Sequence, residues 1–221
     1  MSGSDPRLGA PRGRLRALVF DMDGTLIDSS AVIPDAYMKV VARLGGPSLT
    51  RAEVIDAYSV GPPEAMLTHF LGRPSTPDEV DLYHETLGSS ARAATVYPGI
   101  PEALALLRGR ASLAVFTGAS LRACRTLLGG VGLDRNFDAL VGADEVERSK
   151  PEPDGIHLAC RRLGVEPAAA AYVGDAPNDL EAARRSGALA AAAAWGHLYR
   201  PEEPADVVVR TPGDLPSLVS A

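Results

Sequence analysis

The chain has little cysteine, no long apolar run and fewer basic than acidic residues, and each shortage removes a class of protein. Only Cys124 and Cys160 occur, isolated from one another and in no metal-ligand spacing. Neither a disulfide framework nor a thiolate metal centre is expected, and a reducing cytoplasm is the expected setting. The longest run of small apolar residues, 188–195, is far below the ~20 residues needed to cross a bilayer, so no membrane segment is expected. Lys and Arg total 22 against 28 for Asp and Glu, a net charge of -6, which provides no broad basic surface for nucleic acid or anionic lipid. An anionic substrate would need its charge met locally, by a metal ion, a lysine or backbone amides. Residues 1–14 are rich in Gly, Pro, Ser and Arg and lack the apolar stretch of a secretory signal.

What is present is a chain of 221 residues, 46% hydrophobic and 23% charged, sufficient for one domain or one domain with a smaller insert. Short apolar runs at 17–20, 113–116, 139–141, 170–173, 189–193 and 207–209 have the brevity of strands buried on both faces. Helical spacing fills the intervals at 101–108, 120–128, 153–163 and 178–186. This alternation predicts an α/β fold with a doubly wound, Rossmann-like parallel sheet. One section breaks the rhythm: between 29 and 95 no strand run occurs, while 31–44, 51–58, 64–71 and 77–93 carry helical spacing. The expected organisation is a flexible tail at 1–15, a core formed by 16–28 and 96–221, and an inserted α-helical cap at 29–95. Turn-prone Asp28-Ser29-Ser30 and Tyr97-Pro98-Gly99 flank the insert and suit a two-stranded hinge.

Four segments that follow strand runs carry chemistry. Asp21-Met22-Asp23-Gly24-Thr25 presents two carboxylates at the end of the first strand, in a loop that Gly24 lets turn sharply. A calcium loop would need a further ligand before its glycine and a preceding helix, and neither is there. Phe116-Thr117-Gly118 offers a hydroxyl and free backbone amides before a helix, an arrangement suited to a phosphate. Ser149-Lys150-Pro151-Glu152-Pro153 presents a single lysine among prolines, and Val173-Gly174-Asp175-Ala176-Pro177-Asn178-Asp179 adds two more carboxylates at a strand end and helix start. Each also has an ordinary reading: Thr117 and Asn178 as helix caps, Lys150 as a solvated charge, Asp175 as a turn residue.

Together and in this order the four segments resemble the signature of the haloacid-dehalogenase-like superfamily over roughly residues 16–215, the position of the helical insert included. Residues 21–29 and Tyr97-Pro98-Gly99 are especially similar to the phosphoglycolate phosphatase and β-phosphoglucomutase group. The resemblance implies Asp21 as nucleophile, forming an aspartyl-phosphate, and Asp23 as general acid and base. It implies Thr117, the Gly118 amide and Lys150 as holders of the phosphoryl oxygens. It implies Mg²⁺ on Asp21, the Asp23 backbone carbonyl and Asp175, with Asp179 binding directly or through water. An acid at position 23 disfavours the dehalogenase and phosphonate-cleaving branches. The expected function is hydrolysis of a small phosphorylated metabolite, with phosphoglycolate-like acids or sugar phosphates as leading candidates. The alternative is a sugar-phosphate mutase, and a non-catalytic binding or regulatory module is a third reading. Mutases of the group carry Arg and Lys before a glycine of the cap, whereas Tyr58-Ser59-Val60-Gly61-Pro62-Pro63 has neither. Tyr37, Lys39 and Arg43 are candidate cap contacts, and Val60 and Glu64 flank the loop expected to set specificity. His69, His84, His157 and His197 read as structural or solvent-facing, and Trp195 as a packing residue. Monomer and homodimer are both open.

Overall fold

The apolar run Ala17–Phe20 becomes β1, buried at every position in the middle of a six-stranded parallel sheet. In this computed structural model, which describes residues 14–219, β1 is flanked by β4 (Ser112–Phe116) and β6 (Ala170–Gly174). Outside them lie β5 (Ala139–Val141), β7 (Leu189–Ala193) and β8 (Val207–Val209), giving the order β5-β4-β1-β6-β7-β8. Successive side chains of a strand point to opposite faces, and Leu18 and Phe20 enter one hydrophobic cluster while Ala17 and Val19 enter another. Helices α5 (Ile100–Leu107) and α6 (Leu121–Gly130) cover the first face; α7 (Asp154–Leu163) and α8 (Pro177–Ser186) cover the second. The sheet is therefore doubly wound, as its sequence pattern predicts. Of the expected tail, residues 1–13 lie outside the described residues, and Leu15 is buried.

Between β2 (Ile27–Asp28) and β3 (Thr95–Val96), which pair antiparallel, the chain makes α1 (Val32–Arg43), α2 (Arg51–Asp56), α3 (Pro63–Leu71) and α4 (Pro77–Ser90). Thr50 with Glu53 and Thr76 with Glu79 form capping boxes that start α2 and α4, each side chain bonding the other's backbone N–H. Two predicted helices end early. The run 51–58 tightens to a 3-10 turn at Ala57–Val60 before Gly61, whose φ of 133° is open to glycine, and 77–93 does the same at Ala91–Ala93. The insert rests on the core through α4 against α6. There His84 Nε2 lies 2.9 Å from Ser120 Oγ, and Arg122 pairs with Asp81. Among the described residues no helix is long and apolar enough to cross a membrane.

Candidate active site

The site forms where β1, β4 and β6 end on the same edge of the sheet. Past Phe20 the chain turns at once: Leu26 N and Ile27 N both donate to Met22 O, at 2.9 and 3.0 Å, and Gly24 N donates to Ile27 O at 2.9 Å. Gly24 has φ +84°, and a Cβ there would lie 2.4 Å from Asp175 Oδ2, so only glycine lets the two loops close together. Met22, between the two aspartates in sequence, is buried in the hydrophobic cluster that holds Leu18 and Phe20. Asp23 is held by Ser29, whose N and Oγ both donate to its Oδ1, at 2.8 and 2.7 Å.

The other sequence-singled residues converge here. Lys150 Nζ donates to Asp21 Oδ1 and Asp179 Oδ1, each at 2.7 Å, and to the Tyr172 hydroxyl at 3.2 Å. Tyr172, buried on β6, donates its own proton to Phe116 O at 2.8 Å, which ties the lysine to the end of β4. Asp179 is buried in the first turn of α8, its Oδ2 accepting from Ala176 N at 3.0 Å. Gly174 leaves room for it, since a Cβ there would sit 2.4 Å from Asp179 Cβ. Thr117 is buried, with Oγ1 accepting from Ala119 N at 3.2 Å, and Gly118 beside it is exposed. Thr117 is not the helix cap: Ser120 fills that place for α6, accepting from Ala123 N at 3.2 Å.

Burial governs the charges. It lifts the Asp21 carboxyl to about 8, with Lys150 opposing the rise and Asp179 and Asp175 adding to it. Burial lifts Asp175 to about 6 against the pull of the Leu198 N–H. It also raises Asp23, and the two Ser29 bonds hold that rise back. Burial works against the Lys150 ammonium, yet Asp179 and Asp21 hold it well above its ordinary value, so it stays charged. Asp21, Asp175 and Asp179 bring one carboxylate oxygen each within 4.8 Å of one another, and Asp175 Oδ1 is buried without any hydrogen-bond partner. Three buried carboxylates, one lysine and an orphaned oxygen suit a hard divalent cation. The Asp23 carboxylate lies outside this cluster, turned instead to Ser29.

These groups line one end of a cavity of about 260 Å³ whose other end is made by the insert. Of the expected cap contacts Tyr37 lines it, while Lys39 and Arg43 are exposed and do not. Gly61 lines it, but Val60 and Glu64 point to solvent. Four features had not been expected from sequence. Tyr58 and Tyr83 join the cavity wall, and Ser29 orients Asp23. Tyr172 braces Lys150. The loop after β7 closes the base: Leu198 N donates to Asp175 Oδ2 at 2.8 Å, Trp195 Nε1 donates to Thr25 O at 2.9 Å, and Gly196 packs on Asp175. His197 of that loop sits at the rim, 3.2 Å from the Tyr97 hydroxyl through Nδ1. His84, expected to be structural or solvent-facing, is buried between α4 and α6.

Comparison with known proteins agrees with this fold. The haloacid dehalogenase-like hydrolase family matches residues 15–187. The N-acetylmuramic acid 6-phosphate phosphatase of Pseudomonas aeruginosa is 32% identical over 217 residues, which cover 92% of this chain and 94% of that protein. A phosphoglycolate phosphatase of Chromobacterium violaceum is 32% identical over 219 residues, covering 93% and 96%. Among solved structures, CbbY from Rhodobacter sphaeroides in complex with phosphate superposes with a TM-score of 0.80 at 26% identity, covering 94% of this chain and 100% of that one.

Proposed function

The chain belongs to the haloacid dehalogenase-like hydrolase family, and from that premise we propose that it is a Mg²⁺-dependent phosphatase that hydrolyses a small phosphomonoester through an aspartyl-phosphate on Asp21. The observation that carries the reading is the buried contact of Lys150 with Asp21 at 2.7 Å, beside the unpartnered Asp175 oxygen. A nucleophilic carboxylate, a fixed cation and a vacant hard donor are what a phosphoryl group needs on one side.

The Asp21 carboxylate attacks phosphorus, forming an O–P bond as the ester O–P bond breaks. Asp23 gives its proton to the departing alkoxide oxygen. Its burial, which raises its pKa, favours the protonated form needed at that moment. In the second step Asp23 takes a proton from water, whose oxygen attacks the phosphoryl group and returns Asp21 as free carboxylate with inorganic phosphate. Lys150, the Thr117 hydroxyl and the Gly118 amide hold the phosphoryl oxygens as charge shifts between them. Because Asp21, Asp179 and Tyr172 already engage the ammonium, it is oriented before substrate arrives. Mg²⁺ would be held by Asp21, the Asp23 carbonyl and Asp175, with Asp179 behind them, and would supply charge neutralisation between the phosphate and the carboxylates. The insert, residues 29–95, serves as a lid that excludes bulk water and admits only ligands of metabolite size.

A mutase shares these core residues but passes the phosphoryl group to a sugar hydroxyl instead of water, and such enzymes resemble one another in a cationic cap loop, whereas the stretch from Tyr58 to Pro63 carries no cation. The test is phosphate release by the purified chain from p-nitrophenyl phosphate and from a panel of phosphorylated metabolites. Release that needs Mg²⁺, stops in chelator and is absent in Asp21→Asn is expected. Release that persists in excess chelator or in Asp21→Asn, or isomer exchange without net phosphate, would overturn the proposal.

A further inference from the structure

The lid end of the cavity differs in chemistry from the phosphoryl end. The insert contributes Ile33, Tyr37, Tyr58, Pro63, Met66 and Tyr83, and none of its described lining residues is charged. Tyr37 and Tyr83 stack on each other at 4.2 Å between ring centroids, inclined by 25°, which fixes both side chains in the cavity wall. Lys150 is the cation on the cavity surface, and it belongs to the phosphoryl end. The neighbouring cation in the insert, Arg51, is turned outward onto Asp35 at 2.8 Å and Ser30 O at 2.9 Å.

A second anionic group on the substrate, carboxylate or phosphate, would therefore be desolvated against tyrosine rings with no cation among the described lining residues of the insert to meet it. One polar group of the wall is unfilled. The Tyr58 hydroxyl is buried without a hydrogen-bond partner, on the side of the cavity that faces Asp23. Burial raises its pKa, with Asp23 adding to the rise, so it stays a protonated donor. A buried donor left unpaired is costly, which marks it as a place for a substrate acceptor.

Resting on the phosphatase reading, we propose that the leaving group of the substrate is an uncharged, ring-sized alcohol whose apolar face packs against the wall made by Ile33, Tyr37, Met66 and Tyr83 and which offers Tyr58 an oxygen acceptor. Esters whose alcohol carries a carboxylate or a second phosphate are excluded. Phosphoglycolate is then a poor substrate, although relatives of similar identity are named for it.

Three matched esters test this: cyclohexylmethyl phosphate, its tetrahydropyranylmethyl counterpart with a ring oxygen, and trans-4-carboxycyclohexylmethyl phosphate. With Mg²⁺ and the full chain, kcat/KM should be about 100-fold or more lower for the carboxylate than for either neutral ester, as burial of an unpaired charge requires. Tyr58→Phe should lower the preference for the ring-oxygen ester over the cyclohexyl ester by about 3- to 10-fold, the range of one hydrogen bond. Met66→Arg, which places a cation in the wall, should raise kcat/KM for the carboxylate relative to the neutral esters. A carboxylate ester turned over as well as the neutral ones overturns the inference and leaves the phosphatase reading standing. An unchanged oxygen preference in Tyr58→Phe overturns the role of Tyr58. No hydrolysis of any ester, p-nitrophenyl phosphate included, overturns the phosphatase reading and this inference with it.

Discussion

Replacing Ser29 by alanine removes one of the two bonds that hold Asp23 while leaving the other. Asp23 Oδ1 accepts from Ser29 N at 2.8 Å and from Ser29 Oγ at 2.7 Å, and Ser29 is fully buried. A hydrogen bond to a charged group is worth about 1.5–3 kcal/mol. Asp23 borders the cavity, where water can replace part of the bond, so the lower end, about 1.5 kcal/mol, applies. At about 1.4 kcal/mol per unit, the Asp23 pKa should rise by about one further unit. Both Ser29 bonds favour the carboxylate, so losing one favours the acid. The descending limb of kcat/KM with pH, along which Asp23 loses the proton that the leaving alkoxide needs, should move up by about one pH unit. Orientation suffers as well. General acid catalysis contributes about 10²–10⁴-fold, and partial loosening should cost about 10-fold on an alkyl ester such as cyclohexylmethyl phosphate. The cost should be below about threefold on p-nitrophenyl phosphate, whose leaving group needs little protonation. The assay is kcat/KM against pH for both esters at saturating Mg²⁺. Equal losses on the two esters, or a limb that stays in place or moves to lower pH, would refute the role assigned to Ser29.

Metal binding should couple to stability. Asp21 at about 8 and Asp175 at about 6 lie above the ordinary carboxylate value, so their contribution to stability is present at low pH and lost as pH rises through those values. Thermal melts in chelator should therefore fall between about pH 4 and 8, while Mg²⁺ at about 100 times its Kd adds about 2.7 kcal/mol and flattens the slope; a flat metal-free profile counts against this. Asp21→Asn should abolish turnover of every ester yet keep a cooperative melt, and residual activity above background would contradict it. Gly24→Ala combines a φ of +84° with a Cβ 2.4 Å from Asp175 Oδ2. It should cost about 1–3 kcal/mol and shrink the Mg²⁺-induced rise in Tm by more than half; an undiminished rise would show that Asp175 is not displaced.

The parts of the fold that could be read in the sequence are those where local pattern and burial coincide. Ala17–Phe20 and Ala170–Gly174 lie between helices on both faces, which demands short, wholly apolar runs. The paired carboxylates, Thr117 and Asp175 stand where those runs stop, and with Lys150 from the loop before α7 they line one cavity. Tyr58 and Tyr83 were not legible because an aromatic residue on an amphipathic helix looks the same whether its ring meets core or cavity. Lys39 and Arg43 share α1 with Tyr37 but face solvent, a difference set by how α1 packs on α4 rather than by spacing alone. Tyr172 and the Trp195-to-Leu198 loop act through contacts with residues remote in the chain, Lys150, Thr25 and Asp175, which carry no local signature.

The central place of β1 in the sheet has a consequence for how the protein is made. Ala17 pairs with Ser112 on one side and Ala170 on the other, so the strand that ends in Asp21 emerges from the ribosome long before either neighbour exists. Partners so distant in sequence delay closure, because chain entropy must be lost before the pairing rewards it. The insert, whose contacts are mostly local, can form its helices during that wait. A nascent chain halted before β6 would carry a folded lid above a strand still lacking half its hydrogen bonds, with Asp21 present and Lys150 without the Tyr172 that steadies it. The cluster of Asp21, Lys150, Asp175 and Asp179 is thus a late product of synthesis: it is assembled only after the chain has passed Asp179.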